Sequence, residues 1–270
     1  MKRTLLTALV ALLAITASAQ AGILLNLTDT VHFTDGDAEA SESPGIQVGS
    51  VAGDNWNQIN SGSVGSIVDD AGASTGVTVD VGATTGTTLD YDTNPNFNDL
   101  GLAFDGGIYA GNAQSAIFTG GQDSDSKSGI RVAGLDAGLY TIYVTAKNTN
   151  NDGEANGTDA YDIFYGTVAS DSGDTDFSGF DSASMTNAST DWDDEGDVQA
   201  PDPTSWIAGD NYVAFDVDVA AGQDLVIVSD GTNTDEDRGF LNTVEIVPEP
   251  ATMSLLAIGG LGALIRRRRR

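Results

Sequence analysis

The chain has 270 residues, 40 of them acidic against 11 basic, with one histidine and no cysteine, for a formal net charge of −29. A field of that sign repels nucleic acid and anionic lipid, which excludes both as partners and favours cations, basic proteins and neutral glycans. Without cysteine there is neither a disulfide nor a thiol nucleophile, and a lone histidine excludes zinc sites built on His and Cys.

At the N-terminus, Lys2 and Arg3 precede an apolar run from Leu5 to Ile15, followed by Ala17-Ser18-Ala19 and Ala19-Gln20-Ala21. Charge, apolar core and small-x-small sites in that order are the signature of a signal peptide, with cleavage at Ala19 or Ala21. Residues 1–21 are therefore expected to deliver the chain to a Sec-type export machinery. Between Gly22 and Pro248 lie all the acids but Glu249, and only four bases, Lys127, Arg131, Lys147 and Arg238, so the exported part carries −35. Its acid is mostly aspartate, 33 against 7 glutamates in the whole chain. Aspartate suits turns and calcium ligation better than helices.

The first strand is predicted at Ile23 to Leu27 and a second at Val31 to Phe33, where His32 is a strand residue. Trp56 sits between Asn55 and Asn57, a pairing of aromatic face and amide that suits a sugar. Gly72-Ala73-Ser74-Thr75-Gly76 fits the G-x-S-x-G pattern of a nucleophile elbow. That motif needs a following helix and a later histidine. A valine-threonine strand follows instead, so the stretch is a turn. Val77, Val79 and Val81 then alternate with Thr78 and Asp80, the period-two pattern of a half-buried strand.

Further strands are predicted at Leu100 to Phe104 and Ser128 to Val132. The tight turn Gly134 to Gly138 leads into Leu139 to Lys147, where Tyr140, Ile142, Val144 and Ala146 form the apolar face. Next, Asn148, Asn150, Asp152, Asn156 and Asp159, with Gly153 at the sixth place, space oxygen ligands like an EF-hand loop. Asn at the first position, Asp at the twelfth and flanking strands depart from that pattern, so the choice lies between a calcium loop and an Asn-rich hairpin.

A strand at Tyr161 to Val168 precedes residues 169–210, a long acidic stretch expected to form an ordered excursion over one end of the fold. Within it Trp192, among five acids, is the second candidate sugar platform, while Trp206 is expected in the core. Val213, Phe215, Val217 and Val219 alternate with Ala214, Asp216 and Asp218. Ala220 to Gln223 turns the chain into Leu225 to Ser229, and Phe240 to Ile246 completes the set. Many short strands split by Gly, Asp and Asn turns predict an all-β, jelly-roll-like antiparallel sandwich over residues 22–246.

The end of the chain differs in kind. Val247-Pro248-Glu249-Pro250 leads into an uncharged apolar segment, 251–265, and then Arg266, Arg267, Arg268, Arg269 and Arg270. Fifteen helical residues rise about 22 Å against a hydrocarbon core of roughly 30 Å, short for a permanent transmembrane helix. Snorkelling arginines extend its reach, and they place that end in the cytoplasm. Pro248 and Pro250 interrupt any helix upstream and leave an extended backbone open to a processing enzyme.

Val-Pro-Glu-Pro-Ala-Thr, a short Gly/Leu/Ala helix and a terminal arginine cluster, residues 247–270, closely resemble the PEP-CTERM sorting signal of Gram-negative-type bacteria. The resemblance implies processing near Pro248-Glu249-Pro250 by an exosortase-type enzyme, a brief stay at the inner membrane, and a destination at the cell surface or in an extracellular polysaccharide matrix. A looser resemblance, carried by Asp54 to Asn57, Asp69 to Val79, Gly134-Leu135 with Tyr140 to Tyr143, and Asn242, links most of residues 23–247 to galactose-binding-like β-sandwiches. It implies the fold and assigns no sugar-binding residue.

The expectation is a non-catalytic exported surface or matrix protein, with calcium or matrix glycan as candidate ligands. The alternative is a secreted carbohydrate-active enzyme using two of its many carboxylates.

Overall fold

The computed structural model describes residues 21–27, 55–93, 96–99, 115–118, 125–146, 160–170, 172–186, 206–232 and 237–249. Its strands are β1 (Ile23–Leu27), β2 (Trp56–Ile59), β3 (Ser63–Val64), β4 (Thr78–Thr84), β5 (Thr88–Leu89), β6 (Asn96–Asp99), β7 (Ser115–Phe118), β8 (Asp125–Ala133), β9 (Gly138–Thr145), β10 (Tyr161–Ala169), β11 (Thr175–Asp176), β12 (Asp181–Met185), β13 (Val213–Val219), β14 (Gln223–Gly231), β15 (Asp237–Arg238) and β16 (Thr243–Pro248). Among the described residues there is no helix, so none is long and apolar enough to cross a membrane.

Ala21–Val247 form one compact unit. Five strands make one sheet in the order β13-β9-β16-β1-β2, and a larger sheet runs β12-β10-β14-β8-β4-β3, with β15 joined to β8. The two face each other as a sandwich. Their common core takes Ile23, Leu25 and Leu27 from β1, Tyr140, Ile142 and Val144 from β9, and Val244 and Ile246 from β16. From the other sheet come Val79 and Val81, Ile130 and Val132, Tyr161 and Ile163, and Leu225 and Ile227. Burying these side chains from water is the main force that holds the two layers together.

The predicted alternation is borne out most clearly on β13, where Val213, Phe215, Val217 and Val219 are buried and Ala214, Asp216 and Asp218 are exposed. On β14, by contrast, burial is continuous from Asp224 to Ser229. Leu225 and Ile227 face the sandwich core, while Val226 and Val228 join Leu89 and Phe177 in a second cluster on the outer side of the same sheet. The little sheet of β5 and β11 covers that outer side. Its close seating needs glycines. Gly82 and Gly129 stand opposite each other on β4 and β8, and a Cβ on Gly129 would lie 2.8 Å from both the Ile227 carbonyl oxygen and the Leu89 side chain.

Two features depart from the sequence reading. Most pairings are antiparallel, as expected, but β1 and β2 pair in parallel, Leu24 opposite Trp56, and so do β15 and β8. Residues 169–210 also contain β11 and β12, the latter antiparallel to β10, with Met185 buried in the core. Phe177 and Phe180 hold this region against the larger sheet, and Phe180 lies where a Cβ on Gly166 would otherwise project.

Candidate functional site

The sequence points most sharply to the place where the chain enters and leaves the sandwich. β1 and β16 are antiparallel neighbours, with Ile23 opposite Ile246 and Leu24 opposite Glu245. The first residues of the sandwich and those that lead into the tail therefore sit at one end of the same strand pair, about 5 Å apart between paired backbones.

β16 is an inner strand, flanked by β9 and β1. Buried hydrogen bonds pin it there. The Thr145 and Thr243 hydroxyls lie 2.7 Å apart, and the Thr243 N–H donates to the Thr145 hydroxyl oxygen at 3.1 Å. Just before the strand, the Asn242 N–H donates to the Thr145 carbonyl, and the Asn242 carbonyl accepts from the Leu27 N–H. On the far side of β1, the Asn57 amide donates to the carbonyls of Leu24 and Val68, and its oxygen accepts from the Val68 N–H. The Asn55 amide donates to the Asp70 carbonyl, while the Asp70 N–H donates to the Gly22 carbonyl at 2.7 Å. Asn55 and Asn57 thus join Val68 and Asp70 in one brace around the start of β1.

The tail motif begins inside this framework. Val247 is only 8 % exposed and packs with Leu24, Trp56, Tyr143 and Tyr212, with Trp206 against the cluster. Trp206 meets Tyr212 edge-on at 6.2 Å between ring centroids, and Tyr143 tilts against Tyr212 at 6.1 Å. One residue on, Pro248 is half-buried, and Glu249 is exposed. Across three consecutive residues the chain passes from packed core to open solvent. No residue downstream of Glu249 is among those described, so Pro250 and Arg266 to Arg270 lie outside the described residues, as does Ala19; Ala21 is half-buried.

Trp56, the candidate sugar platform, stands on β2 at 9 % exposure with its ring in this cluster. Trp192 lies outside the described residues, as do Asn148, Asn150, Asp152, Asn156 and Asp159 of the candidate calcium loop, and His32. Among the described residues no group of three or more His, Cys, Asp or Glu could hold a metal ion. The G-x-S-x-G stretch is a turn. Gly72 and Gly76 have φ of +82° and +78°, and the Asp69 carboxylate accepts from the Ala71 and Ala73 N–H groups. Such left-handed glycines and an Asx-type cap are how short loops close.

One polar assembly has no counterpart in the sequence reading. On the outer side of the larger sheet, Arg131 of β8 pairs with Asp80 of β4 at 2.7 Å and lies 4.3 Å above the ring of Tyr91. Arg131 also donates to the Ser172 carbonyl, and Asp80 accepts from the Ser63 hydroxyl. Burial pushes the Tyr91 phenol up to about 12, against the pull of its Thr175 hydrogen bond and of Arg131. Partial burial opposes the Arg131 charge, yet its Asp80 hydrogen bond and Tyr91 raise its pKa on balance. Arg131 reaches Asp80, Tyr91 and Ser172 across 40 or more positions of the chain, and no local pattern in the sequence marks them.

The PEP-CTERM protein-sorting motif family matches residues 247–270. No match was found among curated proteins. Among solved structures, the chain is similar to that of TmCBM61 in complex with beta-1,4-galactotriose, at 11 % identity and a TM-score of 0.29, over 63 % of this chain and 88 % of that one. The segment that starts at buried Val247 and continues through exposed Glu249 is a PEP-CTERM protein-sorting motif, which implies an exported protein handled by an exosortase-type enzyme.

Proposed function

We propose that this chain is a non-catalytic exported protein of the cell surface or extracellular matrix, held at the inner membrane by residues 251–265 until its tail is cut. The carrying observation is the sorting motif at 247–270, whose first two residues are the last two of β16 in the β-sandwich. The sandwich is the cargo and the tail its address. A uniform negative charge keeps such a cargo soluble and clear of anionic lipid and nucleic acid, which fits a life outside the cell.

The cargo's ligand is read from the sequence alone. Of the two sugar-stacking candidates, Trp56 is packed against Leu24, Tyr143, Tyr212 and Val247, which leaves Trp192, and Asn148, Asn150, Asp152, Asn156 and Asp159 are the calcium candidates. Chelation should lower the melting temperature of the exported domain if that loop holds calcium, and an unchanged melting curve removes the ion from the account.

The test of the main reading is cell fractionation with intact-mass analysis. The wild-type protein is expected outside the inner membrane without Arg266 to Arg270. Replacing those five arginines by glutamine should leave the protein unprocessed. Wild-type protein in the cytosol, or surface protein that keeps its arginines, would refute the reading.

A further inference from the structure

The fold restricts which bond can be cut when the tail is removed. A peptide bond is broken only when its carbonyl carbon can be approached by a nucleophile in a near-attack geometry. Every residue of β16 up to Val247 is buried, between partner strands on both edges. Val247 is further fixed by the Leu24, Trp56, Tyr143 and Tyr212 side chains. An enzyme acting upstream of Pro248 would have to strip the central strand out of its sheet, against the Thr145–Thr243 and Asn242 hydrogen bonds.

Three bonds remain next to this limit: Val247–Pro248, Pro248–Glu249 and Glu249–Pro250. The first and the last are tertiary amides, with a ring nitrogen that carries no hydrogen. In both, the proline Cδ crowds the residue whose carbonyl would be attacked. Of these three only Pro248–Glu249 is a secondary amide, the first met beyond the sheet, and the next is Pro250–Ala251. The N–H of Pro248–Glu249 belongs to Glu249, the first exposed residue beyond the sheet, and its carbonyl to half-buried Pro248.

We propose that the scissile bond is Pro248–Glu249, with the folded sandwich setting the upstream limit and the two prolines blocking the bonds on either side. This rests on the sorting reading above. In the step, the bond from the Pro248 carbonyl carbon to the Glu249 nitrogen breaks and the nitrogen leaves with a proton as a free amine on the tail. The acyl carbon passes to water, giving a Pro248 carboxylate, or to a primary amine, giving a new amide. Val247 acts as an anchor that stops the strand from being drawn toward the enzyme.

The experiment reads both halves of the product from the full-length chain in its native host. Intact and C-terminal peptide masses are measured on the exported domain, and the membrane-held remnant is sequenced from its N-terminus. A remnant beginning at Glu249, with a domain ending at Pro248 or its amine adduct, is the expected result. A remnant beginning at Pro248, Pro250 or Ala251, or anywhere upstream of Pro248, overturns the proposal while leaving the sorting reading intact. An exported protein that keeps Arg266 to Arg270 overturns both. A Gly-Ser-Gly insertion between Val247 and Pro248 places new secondary amides beyond the sheet and should add cleavage within the insert, whereas a remnant that still begins only at Glu249 would show that the sandwich sets no upstream limit, against the proposal. Loss of processing in that variant would mean that the enzyme reads the sheet itself, against the proposal.

Discussion

Tyr165 and Phe215 stack ring on ring, 3.8 Å between centroids and 8° from parallel, and so join β10 of the larger sheet to β13 at the edge of the smaller one. Phe215 is buried and Tyr165 half-buried. Phe215→Ala should cost about 3 kcal/mol in a chemical-denaturation midpoint experiment. A double-mutant cycle with Tyr165→Ala should return a coupling of about 1 kcal/mol, and zero coupling would make the stack incidental.

Arg131 is expected to matter more than its surface neighbours, because its fork reaches Asp80 through two nitrogens and the Ser172 carbonyl through a third. Arg131→Met should destabilise the domain by about 2 kcal/mol, by leaving Asp80 and the Ser172 carbonyl short of a donor. Arg131→Lys keeps the charge but loses the planar fork, and should fall between the two. Equal stability of all three proteins would show that the assembly contributes nothing.

Two tyrosines predict the alkaline limit of the fold. Burial pushes Tyr91 up to about 12, and burial together with the nearby Asp136 pushes Tyr140 to about 12 as well. Both are phenols with a raised folded-state pKa, so the unfolded chain loses its protons first. Their contribution is complete below pH 10 and disappears as pH rises from about 10 to about 12. Unfolding monitored against pH, with phenolate absorbance, should show these two rings ionising last and together with unfolding. Tyr91→Phe should weaken the alkaline dependence.

Ser128 and Ser229 face each other across β8 and β14, and both hydroxyls are buried without a hydrogen-bond partner. Removing an unsatisfied buried hydroxyl avoids its desolvation cost, so Ser128→Ala and Ser229→Ala should each be neutral or stabilising by up to about 1 kcal/mol. Clear destabilisation in thermal melts would mean that these groups are satisfied in solution.

Beneath Leu89, Gly129→Ala should be harmful in a different way. Its new Cβ would press on the Ile227 carbonyl, a backbone atom that cannot step aside. A loss of about 2 kcal/mol is expected, typical of an overpacked site. A variant as stable as the wild type would show that β5 and β11 rest loosely on the sheet.

How much of this was visible in the sequence depends on how far apart the interacting residues lie. The β13 face was legible because alternation of valine with aspartate is a local signal of period two. The unbroken Leu225-Val226-Ile227-Val228 run signals a strand, but its second buried face depends on Leu89 and Phe177 from distant segments. β12 escaped because Asp-Ser-Ala-Ser-Met has little intrinsic strand preference, and as an edge strand it is held by pairing with β10. At the tail, the Pro-Glu-Pro chemistry was legible in full. What the sequence could not convey was that Val247 belongs to the packed domain, since nothing local distinguishes a valine in a core from one in a linker.

The pairing of Ile23 with Ile246 has a consequence for assembly. β1, made first, finds one partner early in β2, but its other partner β16 is made last, so a large, late loop has to close before the smaller sheet is complete. A chain stalled or truncated short of its final residues would lack the middle of that layer and could not hide its greasy face. Closure of the sandwich therefore reports that the chain has been made through β16.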